Sequence, residues 1–335
     1  MRLPRLAAAA IAALLALVVV GHWSGDQPDR DELAAARQRL GLDLEAGRVR
    51  VDGVHLFVVQ AGPADGPPVV LLHGFPELWY AWAEPMAQLA RAGYRVIVPD
   101  QRGYNRSDKP RGAAAYRVDL LAGDVAGLIA ALGYRDAFVA AHDWGGAVAW
   151  RLALRHPERV RKLVVIDTPH PQVLLPAAAG PLAEERDAGE GEGDAISWYR
   201  TFFQIPWLPE WTARLGDWFV PSRMLRGTAA PGAFPDEKLE LWRSAWDREG
   251  AFGSMVDWYR AARRYPEPLE GDGRVAVPTL LLLAPDDAFI PSALTRRSLA
   301  YLDHGRLLEL ASGTHWVIQE DPEGLARILA GFFAE

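Results

Sequence analysis

The sequence predicts an α/β fold: a mostly parallel central sheet flanked by helices, interrupted late in the chain by an inserted helical lid. Two observations carry that prediction. Short apolar runs at 69–73, 94–98 and 137–141 alternate with stretches of helical spacing, and runs without internal polar alternation are the signature of strands buried on both faces, as in parallel sheets. The alternation stops near Thr168 and resumes only at 277–283, which leaves a helical insertion between two stretches of sheet.

Taken in order, a short helix is expected around 31–40. Residues 48–62 read as two strands about the turn at Asp52-Gly53. Strands at 69–73 and 94–98 bracket a helix at 79–92, and a second helix spans 116–132. A strand at 137–141 leads through His142-Asp143-Trp144-Gly145-Gly146 into a helix ending near His156, and 162–166 resumes the sheet. The insertion is rich in Trp, Tyr and Pro, and its acidic, Gly-rich stretch at 184–194 reads as a mobile, solvated loop. Strands at 277–283 and 306–310 follow, and Asp321-Pro322 opens the last helix. The expected organisation is a signal segment at 1–25, a linker and short helix at 26–47, a core at 48–168 and 274–335, and a lid at 169–273.

With 335 residues, half of them hydrophobic, the chain can bury a large core. A formal net charge of -7 supplies no basic footprint for nucleic acid. The absence of Cys excludes disulfides, thiolate metal sites and a Cys nucleophile. Residues 6–20 are uninterruptedly apolar, follow Arg2 and Arg5, and precede any further charge until Asp26. This is an export or anchor signal. The uncharged stretch approaches the roughly 20 residues that span a bilayer, which favours a retained anchor, and the flanking charges place the rest of the chain outside the cytoplasm. The alternative is cleavage and secretion.

The segment around Asp143 has the layout of a nucleophile elbow, a strand, sharp turn and helix with small flanking residues, and it carries Asp where Ser is usual. A carboxylate at an ordinary pKa of about 3.9 needs no base to activate it. Its attack on a saturated carbon yields an ester on the enzyme, which an activated water must then hydrolyse. His315, between the last strand and last helix, is the candidate base. Asp287 is the candidate orienting acid, and its neighbour Asp286 could exchange roles with it. The backbone N–H groups of Phe75 and Trp144 are candidate donors to the developing oxyanion, and Pro76 is a candidate for a cis bond. His73 reads as a structural residue.

These segments resemble the epoxide hydrolase family of the α/β-hydrolase fold: HGFPE at 73–77, PDQRGYNRSDKP at 99–110, HDWGG at 142–146, DAFIP at 287–291 and GTHW at 313–316. Coverage runs from about Arg48 to the C-terminus. The resemblance implies an apolar epoxide and water as substrates, no metal or cofactor, and two lid tyrosines, Tyr199 and Tyr259, as acids for the opening oxygen. The second tyrosine segment departs from the family in carrying Asp257 where Asn is usual. Trp144, Trp198, Phe75 and Trp258 are the expected substrate-binding residues. A haloalkane or haloacid dehalogenase using the same Asp143, and a non-catalytic ligand-binding relative, are the rival readings.

Overall fold

In the computed structural model, the structure describes residues 32–174, 198–269 and 271–335. The apolar segment at 1–25 and the acidic stretch at 184–194 lie outside the described residues. Among the described residues, no helix is long and apolar enough to cross a membrane.

Helix α1 (Glu32–Leu40) precedes a hairpin of β1 (Glu45–Val51) and β2 (Val54–Ala61). Its turn needs two residues at positive φ, and Asp52 (φ 43°) and Gly53 (φ 87°) supply them. Then come β3 (Pro68–Leu72), α2 (Ala83–Arg91), β4 (Arg95–Pro99), α3 (Val118–Ala131), β5 (Ala137–His142), α4 (Trp144–Arg155) and β6 (Val160–Ile166). The described residues between β6 and β7 then include α5 (Trp198–Phe202), α6 (Leu208–Thr228), α7 (Asp236–Asp247) and α8 (Ala251–Arg264). The chain ends with β7 (Thr279–Leu283), α9 (Ser292–Ser298), β8 (Gly305–Glu309), α10 (Val317–Glu320) and α11 (Pro322–Ala334). Asp321 caps α11, its Oδ1 accepting the Gly324 N–H at 2.9 Å.

The sheet has eight strands in the order β1-β2-β4-β3-β5-β6-β7-β8. Only β2 runs antiparallel to its neighbours; the pairs from β4 through β8 are parallel. Strands β3, β4, β5 and β7 are buried at every position, which explains apolar runs interrupted only at their ends by Arg95, His142 and Thr279. Helix α2 packs on α11 and α3 on α4. The strand order reverses direction between β3 and β5, and the crevice beyond the carboxyl ends of strands at such a point is where open α/β sheets bind ligands. HGFPE follows β3 there and HDWGG follows β5.

The helices between β6 and β7 are fastened over that crevice. The Trp246 indole N–H donates to the Pro76 carbonyl at 2.7 Å and that of Trp258 to the Arg102 carbonyl at 3.0 Å. On the other side, the Trp316 indole N–H donates to Thr228 Oγ1 at 2.8 Å.

Candidate active site

Asp143 sits between β5 and α4 with φ 49° and ψ −122°, a backbone conformation that L side chains rarely adopt and that persists only where its surroundings hold it. Three neighbours show how it is held. A Cβ on Gly74 would stand 2.5 Å from Asp143 Cβ, and one on Gly145 would stand 2.5 Å from the Leu72 carbonyl oxygen. Thr168 Oγ1 donates to the Asp143 carbonyl at 2.9 Å. The Asp143 side chain makes no capping bond to α4. It points instead to two other elements: Oδ1 accepts the Phe75 N–H at 2.8 Å, and Oδ2 lies 3.6 Å from His315 Nε2.

His315 is buried, and its Nδ1 lies 2.7 Å from Asp287 Oδ2. The other Asp287 oxygen accepts N–H groups from Phe289 at 2.6 Å and Ile290 at 3.0 Å, so a turn of its own loop fixes that carboxylate. Asp286 is exposed. The geometry therefore gives the contact with His315 to Asp287. Burial raises the Asp143 pKa, but the hydrogen bond and charge of His315, helped by His142 and the Phe75 N–H, outweigh it and hold the carboxyl down at about 2. Burial lowers the His315 pKa, and the Asp287 and Asp143 carboxylates more than reverse this, leaving the imidazole well above its ordinary value. The resting pair is an aspartate facing an imidazolium.

Asp143 and His315 line a cavity of about 290 Å³ with Phe75, Trp198, Tyr199 and Tyr259. The remaining wall is mostly apolar, including Phe202, Phe203, Phe252 and Phe289. The two tyrosine rings are 5.8 Å apart between centroids and nearly perpendicular. Tyr259 is pushed well above its ordinary pKa, first by burial and then by Tyr199 and the Asp143 charge. It is therefore a proton donor that stays protonated at neutral pH.

Two expected substrate-binding residues need correction. Trp258 is fully buried, its N–H is taken by the Arg102 carbonyl, and it is not among the residues lining the cavity. Trp144 is not among them either: its ring packs edge-on against Tyr259 at 4.9 Å and Trp258 at 5.7 Å, so it supports the tyrosine from behind. Its N–H belongs to the first residue of α4 and has no partner within that helix.

A model of the α/β hydrolase fold family matches residues 67–322. Epoxide hydrolase 4 of Homo sapiens is 32% identical over 294 residues, covering 86% of this chain and 78% of the human protein. The chain belongs to the epoxide hydrolase family of α/β hydrolases. The AB hydrolase superfamily protein YfhM of Bacillus subtilis is 38% identical over 274 residues, covering 82% of this chain and 92% of that protein. The crystal structure of epoxide hydrolase A from Mycobacterium thermoresistibile superposes with a TM-score of 0.71 at 27% identity, covering 87% of this chain and 98% of that one.

This epoxide hydrolase family member has buried site residues that sequence reading did not single out. Glu77 is buried, and its Oε2 accepts the Gly74 N–H at 3.0 Å and lies 3.1 Å from His142 Nδ1. His142 Nε2 stands 2.8 Å from the His315 carbonyl, which can only accept, so that nitrogen carries the hydrogen. Glu77 and His142 thus tie the loop after β3 to the backbone of His315. His73, as the sequence suggested, is structural: burial lowers its pKa to about 4, Nδ1 donates to the Gly74 carbonyl, and Nε2 accepts the Gln101 N–H. The Phe75-Pro76 bond is cis. Asp167, at the end of β6, has one carboxylate oxygen bonded to the Ala284 N–H at 2.8 Å and the other buried without a hydrogen-bond partner. Ligand atoms of Asp167, Asp287 and His315 lie within 4.8 Å of one another. Burial and the neighbouring Asp287 charge push the Asp167 pKa well up, so this second acid holds a proton. Its only sequence signal was position, an acid closing an apolar strand at the carboxyl edge of the sheet.

Proposed function

We propose that the chain hydrolyses an apolar epoxide to a vicinal diol through a covalent ester on Asp143. The observation that carries this reading is one cavity lined by Asp143, His315, Tyr199 and Tyr259. Epoxide hydrolases among the relatives support the substrate class.

In the first half-reaction, Asp143 Oδ2 attacks an epoxide carbon, the carbon–oxygen bond breaks, and the leaving oxygen takes a proton from a tyrosine hydroxyl. Oδ2 is the nucleophile, because Oδ1 is held by the Phe75 N–H at 2.8 Å whereas Oδ2 only faces His315 Nε2 at 3.6 Å. Oδ1 then becomes the ester carbonyl, already at the donor that stabilises its oxyanion when water adds. Ester formation removes the Asp143 charge, one of the two that keep His315 protonated. The imidazolium then releases its proton to solvent, and the imidazole becomes a base only once there is an ester to hydrolyse. It takes a proton from water as the hydroxide adds to the ester carbonyl, Asp287 stabilises the resulting imidazolium, the departing alcohol oxygen receives that proton, and the carboxylic acid left on Asp143 passes its own proton to His315, restoring the resting pair. The tyrosine recovers its proton from solvent.

A halide-releasing reaction would need N–H donors in the cavity. Of the two indoles in the wall, that of Trp316 donates to Thr228 and that of Trp198 belongs to a largely exposed ring, whereas both tyrosines line the cavity with Asp143, which favours the epoxide over the halide. The segment at 169–273 serves in this reading as the lid that supplies both tyrosines. The apolar segment at 1–25 holds the chain to a membrane with the catalytic domain on the non-cytoplasmic side.

The test is turnover of styrene-type, aliphatic and terpene epoxides, with product diol read by mass spectrometry. Tyr199→Phe and Tyr259→Phe should each slow ester formation by roughly 10²-fold while leaving ester hydrolysis nearly intact, and the double variant should nearly abolish alkylation. Wild-type alkylation by the double variant, or halide release with no diol from any epoxide, would replace this reading by the dehalogenase.

A further inference from the structure

Large apolar side chains that face solvent are concentrated in one stretch of the chain. Among the described residues all but two of them, Tyr265 and Leu308, fall between positions 198 and 220. Trp207 is 71% exposed, Trp198 64%, Phe219 62%, Val220 51% and Trp211 42%. Trp207 and Trp211 stand one helical turn apart, joined by a hydrogen bond from the Trp211 N–H to the Trp207 carbonyl. The backbone of Trp207 is left-handed at φ 55°. A bulky side chain in that conformation costs free energy, and one that faces water gains no packing in return.

Around this stretch Glu210 is engaged by Arg260 at 2.7 Å, Asp217 by Arg243 at 3.3 Å and Arg226 by Asp236 at 2.6 Å, while Arg214 and Arg223 are exposed. The whole chain, by contrast, carries a formal charge of -7. Exposed Trp and Phe among arginines is the composition of a surface that sits in the headgroup region of an anionic bilayer. The patch is also continuous with the active-site cavity, because Trp198 and Val220 belong to both.

We propose that the lid face formed by Trp207, Trp211, Phe219 and Val220 docks onto the surface of an anionic lipid bilayer and opens the cavity toward it. An apolar solute dissolved in the lipid then passes Trp198 and Val220 into the cavity without crossing water. The delivery step rests on the reading of that cavity as an epoxide site; the docking does not, and the two are tested separately.

Because the chain has no Cys, Trp207→Cys, Phe219→Cys and, on the exposed start of α11, Glu323→Cys variants of the full chain can each carry a single polarity-sensitive fluorophore. They are mixed with phosphatidylcholine vesicles with and without phosphatidylglycerol, some containing spin-labelled lipid. Docking predicts blue-shifted emission and spin-label quenching at 207 and 219, stronger with phosphatidylglycerol, and neither at 323. Vesicle-bound protein whose 207 and 219 probes remain in water would overturn the proposal, since the N-terminal segment would then be the whole attachment. A blue shift before vesicles are added would also overturn it: if it grows with protein concentration a second copy covers the patch, and if it does not, another part of the chain does. As the activity arm, a Trp207→Ser/Trp211→Ser/Phe219→Ser variant should raise KM for a vesicle-dissolved epoxide about tenfold and leave turnover of a water-soluble epoxide unchanged. An equal effect on both substrates would overturn delivery from the bilayer, and absence of turnover by the parent protein would remove the epoxide reading while leaving the fluorescence result to decide docking.

Discussion

Two charges bear on one imidazole, and this gives the half-reactions different responses to pH. Asp143, held down at about 2, and Tyr259, held above its ordinary value, are both in their reactive forms across the neutral range. Stopped-flow alkylation should therefore be nearly flat with pH. Ester hydrolysis needs neutral His315, so its rate should rise with pH to a plateau; a falling rate would contradict the assignment of His315 as the base. Asp287→Asn should cost roughly 10²–10⁴-fold in ester hydrolysis, and Asp286→Asn almost nothing. Asp167 makes a separate prediction about stability. Its pKa is raised on folding, so its contribution is fully present below the unfolded value of about 3.9 and is lost as pH rises toward the folded value. Asp167→Asn should therefore gain stability over the parent as pH rises from acid to neutral in urea titrations, and parallel pH dependences would contradict a buried protonated carboxyl. Asp143, His315 and Asp287 were legible because each follows a recognisable strand in the expected chain order. Asp286 and Asp287 could not be separated by sequence, since only the loop fold turns one toward His315. Glu77 and His142 act through bonds across 65 residues, a pairing that spacing does not reveal.

At the scale of elements, the strand-turn-helix at 137–155 is built around glycines whose hydrogen atoms occupy the space of a side chain. Gly145→Ala would press a Cβ against the Leu72 and His73 carbonyl oxygens, and should cost roughly 2–3 kcal/mol because backbone oxygens in a buried sheet cannot move away. Gly331→Ala, in α11 with nothing within 4 Å of its Cβ position, should instead stabilise by about 0.5–1 kcal/mol. Thermal melts of the two variants should move in opposite directions; a fall in both would show that the α11 site is not open. Buried strands were legible because an all-apolar run has few other uses. Strand β1 starts at Glu45, three residues before the sequence reading, because its first residues are exposed at the sheet edge and carry no apolar signal. Helix α9 was missed because SALTRRS has no apolar stripe. Helix α6 was hidden by its own interruption, with Leu215 extended, Gly216 to Trp218 left-handed, and Pro221 inside the span.

Over the whole molecule, the site exists because five stretches of chain, distant in sequence, meet where the strand order reverses. The loop after β3 brings Phe75, the elbow after β5 brings Asp143, and the loops after β7 and β8 bring Asp287 and His315, while the helices between β6 and β7 add Tyr199 and Tyr259. Strand order and the meeting of these loops are tertiary facts, and no single segment encodes them. The division of labour they create is the central claim: Asp143 forms the ester and His315 destroys it. A His315→Gln variant mixed with a good epoxide and analysed by intact mass and peptide mapping tests it most directly. The account predicts stable covalent protein, heavier by the whole epoxide because ring opening loses no atoms, with the adduct on Asp143 and none formed rapidly by Asp143→Asn. Multiple turnover by Asp143→Asn protein verified by mass to be free of deamidation, with no adduct in the His315 variant, would instead mean that water attacks the epoxide directly.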